Sequence, residues 1–172
     1  GVQHVKNPVE LARAVMDKSE HVFLVGDGAL QFAVNMNLAI EKDNYFFVEH
    51  RLKQLQQAKE SNTTILDHTV EANDLHEKKF GTVGAVALDV HGDIAAATST
   101  GGMTNKRWGR VGDSPIVGAG TYANNKTCGI SCTGHGEFFL RAIVAYDISC
   151  LMEYKGFSLK EACNVVVHDK LV

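Results

Sequence analysis

The stretch TVGAVALDVHGDIAAATST, Thr82–Thr100, constrains the fold more than any other part of the chain. Both arms are rich in Gly, Ala and β-branched residues, which suits strands that backbone or ligand approaches closely. Between them, DVHGD matches a three-residue hairpin loop, with Val90, His91 and then Gly92 at the left-handed position that glycine adopts without steric cost. That loop pairs Asp89 with Asp93, and counting outward pairs Thr82 with Thr100. Directly opposed residues place their Cβ atoms about 4.5–5.5 Å apart on one face of a sheet. Two hydroxyls therefore meet at the open end. A two-residue His91-Gly92 turn would shift the register by one and send them to opposite faces.

A threonine pair across two strands is common in sheets and needs no chemistry. Its surroundings point further. Gly81 leaves the peptide bond before Thr82 without side-chain cover. Ahead of it runs SNTTILDHTVEANDLHEKKFG, Ser61–Gly81, polar and only weakly periodic, which reads as a long mobile connection. A threonine freed as an N-terminus carries its own base, because the α-amine can take the hydroxyl proton. The reference pKa of such an amine, about 7.7–8.0, suits that work at neutral pH.

The rest of the chain reads as helices, then strands, then helices, which predicts layered helix and sheet rather than alternating βαβ units. Asn7 as N-cap and Pro8 at the first helical position open a helix over PVELARAVMDKS. HVFLVG reads as a short strand, DGALQFAVNMN as a helix and FFVEHRLKQLQQAKES as a more polar helix. The Gly-rich GGMTNKRWGRVGDSPIVGAGTYANN reads as a loop, Thr127–Cys132 as a strand, and TGHGEFFLRAIVAYDISCLMEY as a corner leading into one long amphipathic helix. Ser158 and Glu161 form a capping box for a last helix.

At 172 residues the chain holds one or at most two domains. A net charge of -3 gives no basic stripe for nucleic acid. No apolar run reaches the roughly 20 residues that span a bilayer, and the first residues do not form a secretory leader. Cys128, Cys132, Cys150 and Cys163 fit no zinc spacing and read as reduced, buried residues of a cytoplasmic protein. A Cys128–Cys132 disulfide would require a bend in the strand. His135-Gly136-Glu137 has the H-x-E form of zinc deaminases but lacks the P-C-x-x-C partner. Arg110 and Asp113 alone could be an ordinary surface ion pair. Arg107 and Trp108 read as a pocket rim.

Taken together, GTVGAVALD, AAATSTGGMTNK, GRVGDSP, GAGTYANN and CTGHGE resemble the plant-type L-asparaginase / isoaspartyl peptidase family of N-terminal-nucleophile hydrolases. The resemblance covers essentially the whole chain, in the family's order. It implies an α+β fold, the αββα sandwich, of which this chain is one part of a larger family domain. It implies self-cleavage between Gly81 and Thr82, leaving an α part over residues 1–81, with residues 61–81 as its mobile tail, and a β part over residues 82–172. Thr82 matches the nucleophile and Thr100 the threonine that supports it. Arg110 and Asp113 match the pair that grips the aspartyl group. A guanidinium fork suits its α-carboxylate and a carboxylate its α-ammonium. Thr133 and Gly134 match the oxyanion hole, at a turn from strand to helix N-terminus where N–H donors are available.

The implied substrates are small molecules, L-asparagine and isoaspartyl dipeptides. The implied assembly is a homo-oligomer, (αβ)2 after cleavage, with no nucleic-acid or membrane partner. The resemblance implies no cofactor for the reaction. It assigns a structural sodium to a loop that family members carry ahead of the region matched here, and further strands beyond its end. Glycosylasparaginase activity is the nearest alternative. A non-catalytic fragment or an unprocessed precursor is the alternative of another class.

Overall fold

Helices α1 (Pro8–Lys18), α2 (Gly26–Asn35) and α3 (Glu49–Glu60) precede two hairpins, β1 (Thr82–Leu88) with β2 (Ile94–Thr100) and β3 (Thr121–Ala123) with β4 (Gly129–Ser131). Helices α4 (Gly136–Ala142), α5 (Val144–Lys155) and α6 (Leu159–Asn164) follow. This is mixed helix and sheet, in the expected order. The computed structural model describes residues 1–65 and 81–171. They fall into two compact units, one from Gly1–Ile65 with Thr104–Arg110, the other from the described parts of Leu66–Met103 and Val111–Val172.

In the first unit, Pro8 opens α1 at a position where its missing N–H costs nothing. Asn7 does not cap the helix with its side-chain oxygen. Its amide instead donates to Glu10 Oε1 at 3.0 Å. Leu11 and Val15 on one face of α1 pack with Val5, Ala29 and Ala33. HVFLVG is not a strand. Residues 21–25 are irregular, and Val22 is 94% exposed. Among the described residues no strand lies alongside to complete a ladder, so its β propensity has nothing to act on. Helix α3 starts at Glu49, because Phe47 and Val48 are extended after a short 3-10 turn, Asp43–Phe46. Ser61–Ile65, which the sequence assigns to the mobile connection, is tied down. Ile65 and Thr104 exchange backbone hydrogen bonds of 3.2 and 2.9 Å, and Asn105 Nδ2 donates to Thr63 O at 2.6 Å. The remainder of that connection, residues 66–80, lies outside the described residues.

In the second unit the three-residue loop forms as read. Gly92 has φ +89°, Asp89 N–H donates to Asp93 O at 3.0 Å, and Thr82 pairs with Thr100. The Asp89 carboxylate holds the loop by accepting from His91 N–H at 2.8 Å and Asp93 N–H at 2.9 Å. A second hairpin lies inside and beyond the stretch expected to be loop, with Thr121 opposite Ser131 and Tyr122 opposite Ile130. The hairpins stack face to face. A Cβ on Gly84 would overlap Ser131 Oγ, and one on Gly129 would sit 2.5 Å from Val86 Cγ1. Strand alternation turns Gly129 and Ser131 toward the first hairpin and Cys128, Ile130 and Cys132 away from it. The latter three pack with Val144, Ile148 and Ala162 of the helices and with Val166 of the π-helical segment Val165–Lys170 that continues α6. The unit is thus sheet on sheet on helix. All four cysteines are free, with Cys128 and Cys132 buried.

The expected long helix is two. It breaks at Ile143, whose φ of +48° is an outlier for a β-branched residue. The break exposes the N-terminus of α5, where Ala145 N–H donates to Ala119 O at 3.3 Å and Tyr146 N–H to Gly118 O at 2.8 Å. Those bonds satisfy donors that every helix start leaves open. The last helix starts at the predicted box. Glu161 N–H donates to Ser158 Oγ at 3.3 Å, and Ser158 N–H to Glu161 Oε2 at 2.8 Å. The Ser158 hydroxyl, which donates to Glu161 Oε2 at 2.7 Å, and then the Ser158 N–H hold the Glu161 carboxyl below its ordinary pKa. Ser158→Ala should lower the melting temperature by about 2–4 °C at neutral pH, read by calorimetry. A lowered folded-state pKa stabilises above the ordinary carboxylate range and is lost as pH falls through the folded value. The gap between wild type and variant should therefore narrow in acid.

Candidate active site

Thr82 opens β1 and Thr100 closes β2, so the hairpin register alone sets them side by side. Thr82 Oγ1 donates to Thr100 Oγ1 at 3.2 Å. Thr100 Oγ1 also accepts from Gly102 N–H at 3.0 Å, which fixes the acceptor beside the first threonine. In the uncut chain the Thr82 nitrogen is a peptide nitrogen and no base. Cutting the Gly81–Thr82 bond would turn it into an amine attached to the same residue as the hydroxyl.

Asp113 is 6% exposed, which removes it from the class of solvated surface charges. Gly120 lies against it, so close that a Cβ there would sit 2.5 Å from the Asp113 carbonyl carbon. Burial, then the Asp113 charge, then Cys163 push the Cys132 thiol up to about 12. That thiol is protonated at neutral pH and is no rival nucleophile. Its neighbour Thr133 is exposed and Gly134, at φ +149°, is half-buried. Helix α4 starts two residues later, with Phe138 N–H donating to His135 O at 3.0 Å. His135 Nδ1 and Glu137 Oε2 lie 2.9 Å apart and bond to each other.

The second unit therefore carries the Thr82–Thr100 pair, Asp113 and the Thr133-Gly134 turn. Arg110 belongs to the first unit, where its N–H donates to Arg107 O at 3.0 Å. Arg107 Nη2 donates to Asn62 Oδ1 at 2.6 Å, and Trp108 is 95% exposed. Three residues of the second unit escaped the reading from sequence. They are Thr98, Ser131 and Gly120. Thr98 Oγ1 lies 2.7 Å from Ser131 Oγ and donates to Gly120 O at 3.1 Å. Strand alternation could have found Thr98, since it shares a face with Thr82 and Thr100.

A mixed helix-and-sheet unit that ends a hairpin in two hydrogen-bonded threonines is a scaffold able to present a hydroxyl nucleophile. The family model described as asparaginase matches residues 1–172, and the chain belongs to that family. It is similar to the isoaspartyl peptidase of Escherichia coli strain K12, at 54% identity over 171 residues, covering 99% of this chain and 53% of that protein. It is also similar to a probable isoaspartyl peptidase/L-asparaginase 2 of Arabidopsis thaliana, at 43% identity over 188 residues, covering 99% and 58%. The human isoaspartyl peptidase/L-asparaginase is 45% identical over 164 residues, covering 95% and 51%. The chain spans about half the length of the curated relatives it matches. Among the described residues no helix is long and apolar enough to cross a membrane.

Proposed function

We propose that the protein carrying this chain is a threonine-nucleophile amidohydrolase that releases L-aspartate from L-asparagine and isoaspartyl dipeptides. The observation that carries this is the 3.2 Å hydrogen bond from Thr82 Oγ1 to Thr100 Oγ1 at the mouth of the hairpin. Maturation hydrolyses the Gly81–Thr82 bond. One water is consumed, Gly81 leaves with the carboxylate and Thr82 with the amine. This divides the chain into an α part, 1–81, and a β part, 82–172.

Thr82 Oγ1 then attacks the side-chain carbonyl of the substrate, and its proton passes to the Thr82 amine. Thr100 holds the hydroxyl in place. The Thr133-Gly134 turn holds the oxyanion. Arg110 takes the α-carboxylate as a fork and Asp113 the α-ammonium. Collapse expels ammonia or the peptide amine, which takes the proton from the Thr82 ammonium. An aspartyl ester remains on Oγ1. Water, deprotonated by the same amine, attacks the ester, and aspartate leaves as Oγ1 regains its proton. No step passes through a metal or an organic cofactor. The sodium implied by the resemblance would be held by residues outside this chain.

The layering supports the αββα sandwich. Sheet, sheet and helix are stacked in the second unit, and the outer face of the first hairpin is open, with Val83 63% exposed. A helical layer on that face would complete the order. The (αβ)2 assembly and a cytoplasmic location belong to the same proposal.

Mass spectrometry of the purified full-length protein tests the central step. Two fragments are expected, the second beginning at Thr82, together with aspartate released from both substrates. An uncut chain with full activity would overturn the role of Thr82. Activity confined to glycosylated asparagine would replace the substrate assignment. An uncut chain without activity would favour a precursor or a non-catalytic fragment.

A further inference from the structure

The hydrogen bonds around Thr98 converge on one atom. Gly120 O accepts from Thr98 Oγ1 at 3.1 Å and from Cys132 N–H at 2.9 Å. Thr98 has a single hydroxyl hydrogen, and a carbonyl cannot donate. The hydrogen of Thr98 is therefore committed to Gly120, and in the 2.7 Å contact Ser131 Oγ is the donor to Thr98 Oγ1. The chain runs in one direction, from Ser131 to Thr98 to Gly120. Ser131 Oγ occupies the space that a side chain on residue 84 would need, over the Gly84–Thr98 ladder pair.

Each member of this chain lies beside a different part of the candidate site. Thr98 lies two residues before Thr100 on the same strand face, and its pair with Gly84 is two ladder pairs from Thr82–Thr100. Ser131 and Cys132 lead directly into Thr133. Gly120 packs against Asp113. We propose that Thr98 is a positioning residue that sets the distance from the nucleophile hairpin to the oxyanion turn. It acts through Ser131 and Gly120 and touches no substrate. This rests on the proposed function, since it assigns Thr98 a part in the same reaction. Asp113 is held by the packing of Gly120, and Gly120 O keeps its bond from Cys132 when Thr98 loses its hydroxyl. The effect therefore falls on turnover and not on aspartyl binding.

The test is made in the full-length protein, with kcat expressed per N-terminal threonine released. Thr98→Val keeps the shape and removes both hydrogen bonds. It should lower kcat about 10- to 100-fold, as a misplaced reacting group does. KM should stay within about twofold, the mark of an interaction used in the transition state. Thr98→Ser should restore kcat to within about threefold, because it keeps the hydroxyl. Ser131→Ala, which leaves the Thr98–Gly120 bond, should fall between the two. A loss that appears only in folded fraction or in KM, or a Thr98→Val enzyme with wild-type kcat, would overturn the inference alone. Wild-type protein that is cut nowhere and releases no aspartate would overturn the proposed function and this inference together.

Discussion

Thr82→Ala should leave the chain uncut and reduce aspartate release about 10⁴–10⁶-fold, the scale seen when an enzyme loses its nucleophile. The variant removes the γ-methyl and the Oγ1 that lies 3.2 Å from Thr100 Oγ1, and leaves the loop chemistry that builds the hairpin untouched. Asp89 still accepts from His91 and Asp93, so the register should hold and the melting temperature should barely move. Thr82→Ser should be milder. Serine keeps the hydroxyl and, once cut, the amine, but it lacks the β-branch that restricts χ1. Intact mass reads the cleavage, and an aspartate assay reads the chemistry. An alanine variant that is cut and active would remove Thr82 from the mechanism.

The second large effect is expected at Thr100. Thr100→Val preserves volume and β-branching at a strand position, so the fold should be retained. It removes the acceptor that holds the Thr82 hydroxyl and the Gly102 N–H. Turnover should fall about 10²–10⁴-fold, the range for a group that assists proton transfer. Thr100→Ser should recover much of that loss. Far-ultraviolet circular dichroism separates the two explanations, since a spectrum unlike that of wild type would mean that valine had disturbed the hairpin. A kcat unchanged by Thr100→Val would reduce the pair to an ordinary cross-strand contact.

The parts of this molecule that were legible in advance share one property. Their determinants lie within a few residues of one another. The Asp89-to-Asp93 loop is set by one carboxylate and one glycine at φ +89°, and pairing then propagates along the ladder to Thr82 and Thr100. The Ser158–Glu161 box closes over three residues. Pro8 marks a helix start on its own.

What escaped depends on partners far away in sequence. HVFLVG has strand propensity, but a strand exists only where another lies beside it. Strand β4 lies within the strand read at Thr127–Cys132, but its partner β3 hid in a Gly-rich stretch whose glycines serve close packing, with Gly120 against Asp113. Local composition shows the same residues for a loop. Ile143 looks helical by every local measure. It takes a left-handed conformation while the N–H groups of Ala145 and Tyr146 are taken by the carbonyls of Ala119 and Gly118.

The sequence by itself determined the register of the threonine pair, through the loop that joins Asp89 to Asp93. Only the tertiary structure decided that Thr98, Ser131 and Gly120 form one hydrogen-bonded chain. The reason is physical. A hydroxyl can donate once, and which carbonyl receives it depends on how closely two hairpins stack, a distance set here by the missing side chains of Gly84 and Gly129.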